Sequence, residues 1–312
     1  MCYNSLTMRL IILLIALVSF ASVSSATDEF AGFEDGLYRQ YFDTGELKRI
    51  VTVTREKLTG SFNTFYKTGF LKGEGTYVDG VLEGRAIGYY PTKQMKMDVN
   101  YLHGRLEGLA KVYYPNGQIK TESHYINGLL HENYKEYWPN GMIRFDRDYD
   151  HGVVQGEALE YHVDGFLLRK ANFVNGSQRG LIQEFNKDGK LVKSFEAQHG
   201  LANGDYKEYD DGVLKSEAIV VDPSLNESIV TDFYDTGEIL REIGVRDGKK
   251  HGPYIEYFRS GALKETGFFF DDKREGRVQR FYLNGHVKSI HHYKNDDELY
   301  SKKYNELGIL EE

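Results

Sequence analysis

The 312-residue sequence carries a formal charge of −8, is 40% hydrophobic, and includes 24 tyrosines and 18 phenylalanines. The acidic balance excludes an electrostatic grip on nucleic acid and disfavours one on anionic lipid, because both draw on basic surface. So much ring area, with 33 glycines and only 5 prolines, also excludes disorder and points to strands joined by tight turns.

The first 26 residues stand apart from the rest. Arg9 precedes the apolar run Leu10–Phe20, and Ala21–Ala26 supplies small residues, the pattern of a secretory signal peptide cleaved after Ala26. The expectation is export to the periplasm, the cell envelope or the medium. An uncleaved anchor is the alternative, and Met8 is an alternative start. The only cysteine, Cys2, lies before the run, so the mature chain has no thiol for a disulfide, a thiolate metal site or a nucleophile. Residues 27–35 read as a lead-in.

From Gly36 a unit of 24 residues recurs to residue 299, and 300–312 read as a partial repeat or cap. Each unit opens on a leading glycine (Gly36, Gly60, Gly84, Gly108, Gly156, Gly180, Gly204, Gly252, Gly276), with Glu132 and Ser228 in the two slots that break the rule. A first aromatic slot follows without exception: Tyr41, Phe65, Tyr89, Tyr113, Tyr137, Tyr161, Phe185, Tyr209, Phe233, Tyr257 and Phe281. The segment between reads as a strand, closed by turns such as Asn116-Gly117, Asn140-Gly141 and Asn284-Gly285. A second strand follows, bearing Leu71, Ile119 or Leu263 just after the turn. A second turn then ends the unit, as in Asp79-Gly80, His103-Gly104, Asn127-Gly128, His151-Gly152 and His199-Gly200. Two turns per period leave no room for a helix. The predicted fold is all-β, an elongated antiparallel β-meander of tandem hairpin repeats.

The first aromatic slot reads as core, stacked from unit to unit. The slot beside it holds Phe42, Tyr66, Tyr90, Tyr114, Trp138, Tyr234, Phe258 and Tyr282 but lapses to His162, Asn186 and Asp210, which a compulsory core position would resist. Tyr90, Tyr114, Trp138, Tyr234, Phe258 and Tyr282 are therefore the candidate partner-binding residues. Irregularities lie at Lys93, Glu132, Gly212 and residues 220–228, where the glycine-free stretch around Pro223 reads either as a degenerate loop or as a kink between sub-arrays.

The unit Gly108–Lys120, with Tyr134–Arg144 and Gly252–Lys264, resembles the MORN repeat, in particular its bacterial variant in the YwqK-like antitoxin family. The resemblance implies a β-hairpin platform that holds proteins together or touches lipid. The predicted signal peptide departs from a cytosolic antitoxin.

No nucleophile elbow, HExxH or phosphate loop occurs, and no cofactor or metal is expected. Asp146, Asp148, Asp150 and Glu157 have the ligand spacing of a calcium loop, but His151 stands where that loop needs glycine, so alternate acids on a solvated strand are the preferred reading. His291 and His292 face opposite ways on a strand. The acids Glu136, Glu160, Glu184, Glu208, Asp232 and Glu256 likewise read as a solvated ladder. The function expected is a non-enzymatic, exported platform for a protein partner, with an antitoxin or immunity role in view. Envelope glycan or peptidoglycan binding is the alternative, and lipid contact ranks third.

Overall fold

The computed structural model describes residues 30–198, 201–222 and 225–311. The expected signal peptide, the His199-Gly200 turn and Pro223 lie outside them. The described residues contain no helix and form 27 strands that pair antiparallel with their chain neighbours in an open meander. They divide into two compact units, an N-terminal one reaching Leu167 together with Phe173–Gly176, and a C-terminal one of Leu168–Asn172 and Ser177 onward.

The two turns of each repeat differ in kind. In the first, the Gly117 N–H donates to the Tyr114 carbonyl at 2.9 Å, the Tyr114 N–H donates to Gln118 at 2.8 Å, and only Gly117 is left-handed, with φ 84°. That is a type I turn closed by a glycine bulge. In the second turn both residues are left-handed, as in Asn127 (φ 52°) and Gly128 (φ 83°), and Ile126 pairs directly with Leu129. This is the two-residue type I′ hairpin, whose twist matches that of the flanking strands. At Gly212 the early turn is a switch of type: Asp211 and Gly212 are both left-handed and Asp210 pairs with Val213. Lys93 (φ 73°) and Glu132 (φ 62°) hold left-handed backbone where neighbouring units have glycine, a conformation that costs a side chain about 1–2 kcal/mol.

The packed face is set by parity. The residue three before the first aromatic slot is buried in most units: Phe62, Ala86, Ala110, Tyr134, Ala158, Ile182, Tyr254 and Val278 are all at most 8% exposed. In three units a large residue on one strand faces a small one on the other. Phe62 faces Gly75, Tyr254 faces Gly267, and Ala86 faces Val99. A Cβ on Gly75 would stand 2.8 Å from the Phe62 ring, and one on Gly267 2.6 Å from Tyr254. The space is therefore filled as in any close-packed interior.

The first aromatic slot, three residues on, falls on the other parity. The structure corrects its assignment to the core: Phe65, Tyr89, Tyr113 and Tyr137 are half-buried and Tyr41 is 56% exposed. Two contiguous clusters form the apolar core of the N-terminal unit, one around Val51, Val53, Leu58, Phe62 and Tyr77, the other around Met97, Val99, Leu106 and Tyr125. Phe30 of the lead-in is fully buried on the first and stacks edge-on with Phe33 at 5.3 Å. In the C-terminal unit, strands Val213–Asp222 and Glu227–Phe233 pair in register from Ser216↔Asp232 to Val220↔Ser228.

Candidate functional site

All six candidate partner-binding residues are half-buried, and five of them reach into the next repeat. The Tyr90 hydroxyl donates to the Tyr113 carbonyl at 2.7 Å, Tyr114 to Tyr137 at 2.8 Å, Tyr234 to Tyr257 at 2.9 Å and Tyr282 to Tyr304 at 2.9 Å. Trp138 does the same through its indole Nε1, 3.1 Å from the Tyr161 carbonyl, and Tyr66 extends the series to Tyr89 at 2.8 Å. Phe258 has no donor for this bond. Each accepting carbonyl in the series up to Tyr257 belongs to a first aromatic slot, where the strand register shifts in the hairpins of Tyr89, Tyr137 and Tyr257. The second aromatic slot is thus a staple between successive units, and burial raises the phenols of Tyr66, Tyr90 and Tyr114 above their ordinary pKa.

A cation accompanies most of these rings. Lys72 lies over Tyr66 (5.9 Å), Lys96 over Tyr90 (5.7 Å), Lys120 over Tyr114 (5.8 Å), Arg144 over Trp138 (4.5 Å), Arg259 over Tyr234 (5.3 Å) and Lys288 over Tyr282 (5.5 Å). Such pairs contribute about 0.5–1 kcal/mol at exposed sites. Where the ring lapses, so does the cation: Leu168 and Val192 stand where other units have lysine or arginine. Asn186 instead folds its Oδ1 onto its own turn, accepting from the N–H groups of Asp188 and Lys190 at 3.0 Å.

On the other face the first aromatic slot meets carboxylates of the preceding repeat. Tyr89 donates to Glu74 at 2.6 Å and Tyr257 to Glu242 at 2.9 Å. The hydrogen bond to Glu74, helped by burial, pushes the Tyr89 phenol up to about 12. The acid ladder is not uniformly solvated. Glu136 is 5% exposed and is held by Arg144 at 2.9 Å, while Asp232 is paired with Arg241 at 2.5 Å.

The edge made by the second turns carries a feature that the sequence reading passed over. Val78, Val81, Leu102, Leu129, Val153 and Val174 line it in consecutive repeats of the N-terminal unit, each between 37% and 48% exposed. They pack from turn to turn over the turn glycines: a Cβ on Gly152 would lie 3.6 Å from Leu129, and one on Gly176 3.3 Å from Val153. The turns are also tied together by polar contacts. The Asn127 N–H donates to Glu107 at 2.8 Å, His103 to Glu83 at 2.8 Å and Asn175 to Gln155 at 3.1 Å.

On the same edge lie His131, Asp150 and His151, one ligand atom of each within 4.8 Å of the others. The signal in the sequence was the coincidence of histidine in both turn-tying slots, at His131 and His151. The aspartates read against a calcium loop lie instead on a strand, Ile143–Asp150, whose register with the next strand shifts between Arg147 and Asp148. Asn133 Nδ2 donates to Asp146 at 2.7 Å and to Asp148 at 3.1 Å. His291 is 7% exposed between Ser289 and Glu298, whereas His292 stacks on Tyr300 at 4.5 Å.

The family described as the MORN repeat variant matches this chain at residues 34–54, 106–127 and 274–295. No curated protein matches the sequence. Among solved structures, the Photorhabdus luminescens Tc holotoxin pore is similar at 11% identity over 88% of this chain and 18% of that one, with a TM-score of 0.19. The TcdB2–TccC3 structure is similar at 11% identity over 88% and 20%, with a TM-score of 0.15. The chain therefore spans about a fifth of the length of these chains. Three of its units match the MORN repeat variant, and the repeated β-hairpin plan runs through both compact units.

Proposed function

We propose that this chain is a non-enzymatic, exported MORN-type repeat protein that binds another protein along its second-turn edge, in an antitoxin- or immunity-like role. The observation that carries this reading is the row Val78, Val81, Leu102, Leu129, Val153 and Val174, an exposed aliphatic strip across consecutive repeats. Exposed apolar residues in a continuous patch mark interaction surfaces, whereas scattered ones need no explanation. A stiff hairpin array suits such a role, because a strip built on regular strands is ordered before the partner arrives.

Export rests on the apolar run Leu10–Phe20, and the immunity role on the likeness to the YwqK-like antitoxin family. Glycan binding is less well supported by the ring column, since sugars need open ring faces and cations lie over Tyr90, Tyr114, Trp138, Tyr234 and Tyr282. The acidic net charge counts against an anionic lipid surface.

The test is affinity capture from envelope and secreted fractions of the host, with wild type beside a Leu102→Asp, Leu129→Asp, Val153→Asp variant, followed by titration of the captured protein in purified form. A partner that binds wild type and is lost by the variant, with circular dichroism unchanged, supports the reading. A partner bound equally by both, or captured only through Tyr114 and Trp138, rejects the edge as the binding surface.

A further inference from the structure

We propose that His131, Asp150 and His151 form a binding site for a divalent transition-metal ion of the zinc class on the second-turn edge of the N-terminal unit. The three come from two successive repeats: His131 from the strand Leu129–Tyr137, Asp150 from the end of Ile143–Asp150, and His151 from the turn that follows. His131 Nδ1 lies 3.4 Å from Asp150 Oδ1, and His151 Nδ1 lies 2.5 Å from the same oxygen. The two imidazoles meet edge to face with centroids 4.8 Å apart. Donors bound to zinc at about 2.0–2.1 Å in a tetrahedron stand about 3.3 Å from one another, so the His131–Asp150 spacing already suits a shared ion. His151, 63% exposed on its turn, has room to move the further distance by a rotation of its ring.

The contacts of His131 Nδ1 make opposite demands. It accepts a hydrogen bond from the His151 backbone N–H at 3.5 Å, which requires a lone pair on that nitrogen, yet it also faces the Asp150 carboxylate, which requires a proton there. A cation between the two atoms takes the nitrogen lone pair in place of the long His151 N–H contact and neutralises the carboxylate, so no proton is needed between them. Imidazole donors select zinc, copper or nickel over calcium and magnesium, which prefer all-oxygen shells. Two neutral imidazoles and one carboxylate also leave a coordination position open to water.

The repeat itself supplies the controls. Gln155 occupies the slot of His131 one unit later, where its Oε1 accepts the Asn175 N–H, and Asn127 and Asn175 occupy the slot of His151 in the flanking units. His131→Gln and His151→Asn therefore replace the ligands with residues that this array already uses in the same geometry, and folding is kept.

The experiment is a zinc titration of the full chain, purified without a histidine tag and stripped with EDTA, followed by calorimetry and thermal melting. One saturable equivalent, a higher Tm and a weakening of about tenfold or more in each single variant are expected, with uptake at this site lost in the double variant. The proposal is overturned by no saturable zinc uptake in the wild type, by uptake that the double variant retains, or by calcium binding as tightly as zinc.

Discussion

The N-terminal and C-terminal units share a backbone plan but not a surface. In the N-terminal unit Tyr66, Tyr90, Tyr114 and Trp138 staple consecutive repeats up to the lapse at His162, and the second-turn edge carries an aliphatic row beside its polar turn residues. In the C-terminal unit Asn186 and Asp210 interrupt the column before Tyr234, Phe258 and Tyr282 resume it, and the corresponding edge carries Arg246, Lys249, Lys250, Asp271, Asp272 and Lys273 around one exposed ring, Phe270. Turn glycines and register fix the hairpins in both. Because each repeat leans mainly on its neighbours, stability is roughly a sum of local terms and the side chains of different stretches are free to specialise.

The largest effect expected is a cavity in the apolar cluster of the N-terminal unit. Phe62→Ala removes a ring that is 2% exposed and packs on Tyr77 at 4.9 Å; the expected loss is about 3–5 kcal/mol. Phe195→Ala, at a half-buried ring of the C-terminal unit, costs less. Hydrogen exchange of the two units in each variant checks this, and equal losses would erase the distinction drawn between them.

The C-terminal unit should be the more sensitive to acid at Glu265. Burial pushes this carboxyl up, but hydrogen bonds from Tyr254 at 2.5 Å and Arg280 at 2.6 Å outweigh it and hold the group below the usual carboxylate range. A depressed folded pKa gives stabilisation that is present above the unfolded carboxylate's pKa and is lost as pH falls through the folded one. Melting curves taken downward from pH 5 should show a loss in wild type that Glu265→Gln lacks. Parallel curves for the two proteins would remove Glu265 from the account.

Smaller gains are expected where the array departs from its own rule. His162→Tyr restores a hydroxyl in the stapling slot and should stabilise its hairpin by about 1 kcal/mol, whereas no gain in Tm would show that the slot is not a staple there. Glu132→Gly and Lys93→Gly relieve left-handed backbone, with a net gain of about 0.5–1 kcal/mol each after the extra entropy of glycine in the unfolded chain. Denaturant midpoints read these directly, and a loss would mean that either side chain makes compensating contacts.

The meander, its turns and its period were legible in the sequence because each depends on glycine or an aromatic ring at a fixed spacing. The core was not. Its defining slot runs in size from Ala86 to Tyr254, a spread that hides it along the chain, and these two fit only beside their cross-strand partners Val99 and Gly267. The invariant ring drew attention to the wrong parity: it is half-buried both as Phe65, which makes no such bond, and as Tyr89 and Tyr257, which donate to Glu74 and Glu242. Lapses at His162, Asn186 and Asp210 suggested a surface free to vary, but a bond to the next repeat's carbonyl is invisible in a single unit. The His131, Asp150 and His151 group was hidden likewise, because its members belong to different repeats.

The second aromatic slot joins repeat to repeat through its polar atom. Tyr90→Phe with Tyr114→Phe keeps both rings and both overlying lysines while removing two hydroxyls. Hydrogen exchange at the strand amides of residues 84–137 should then accelerate about thirtyfold, equivalent to about 2 kcal/mol, with the C-terminal unit unchanged. Protection equal to wild type in that stretch would contradict the account.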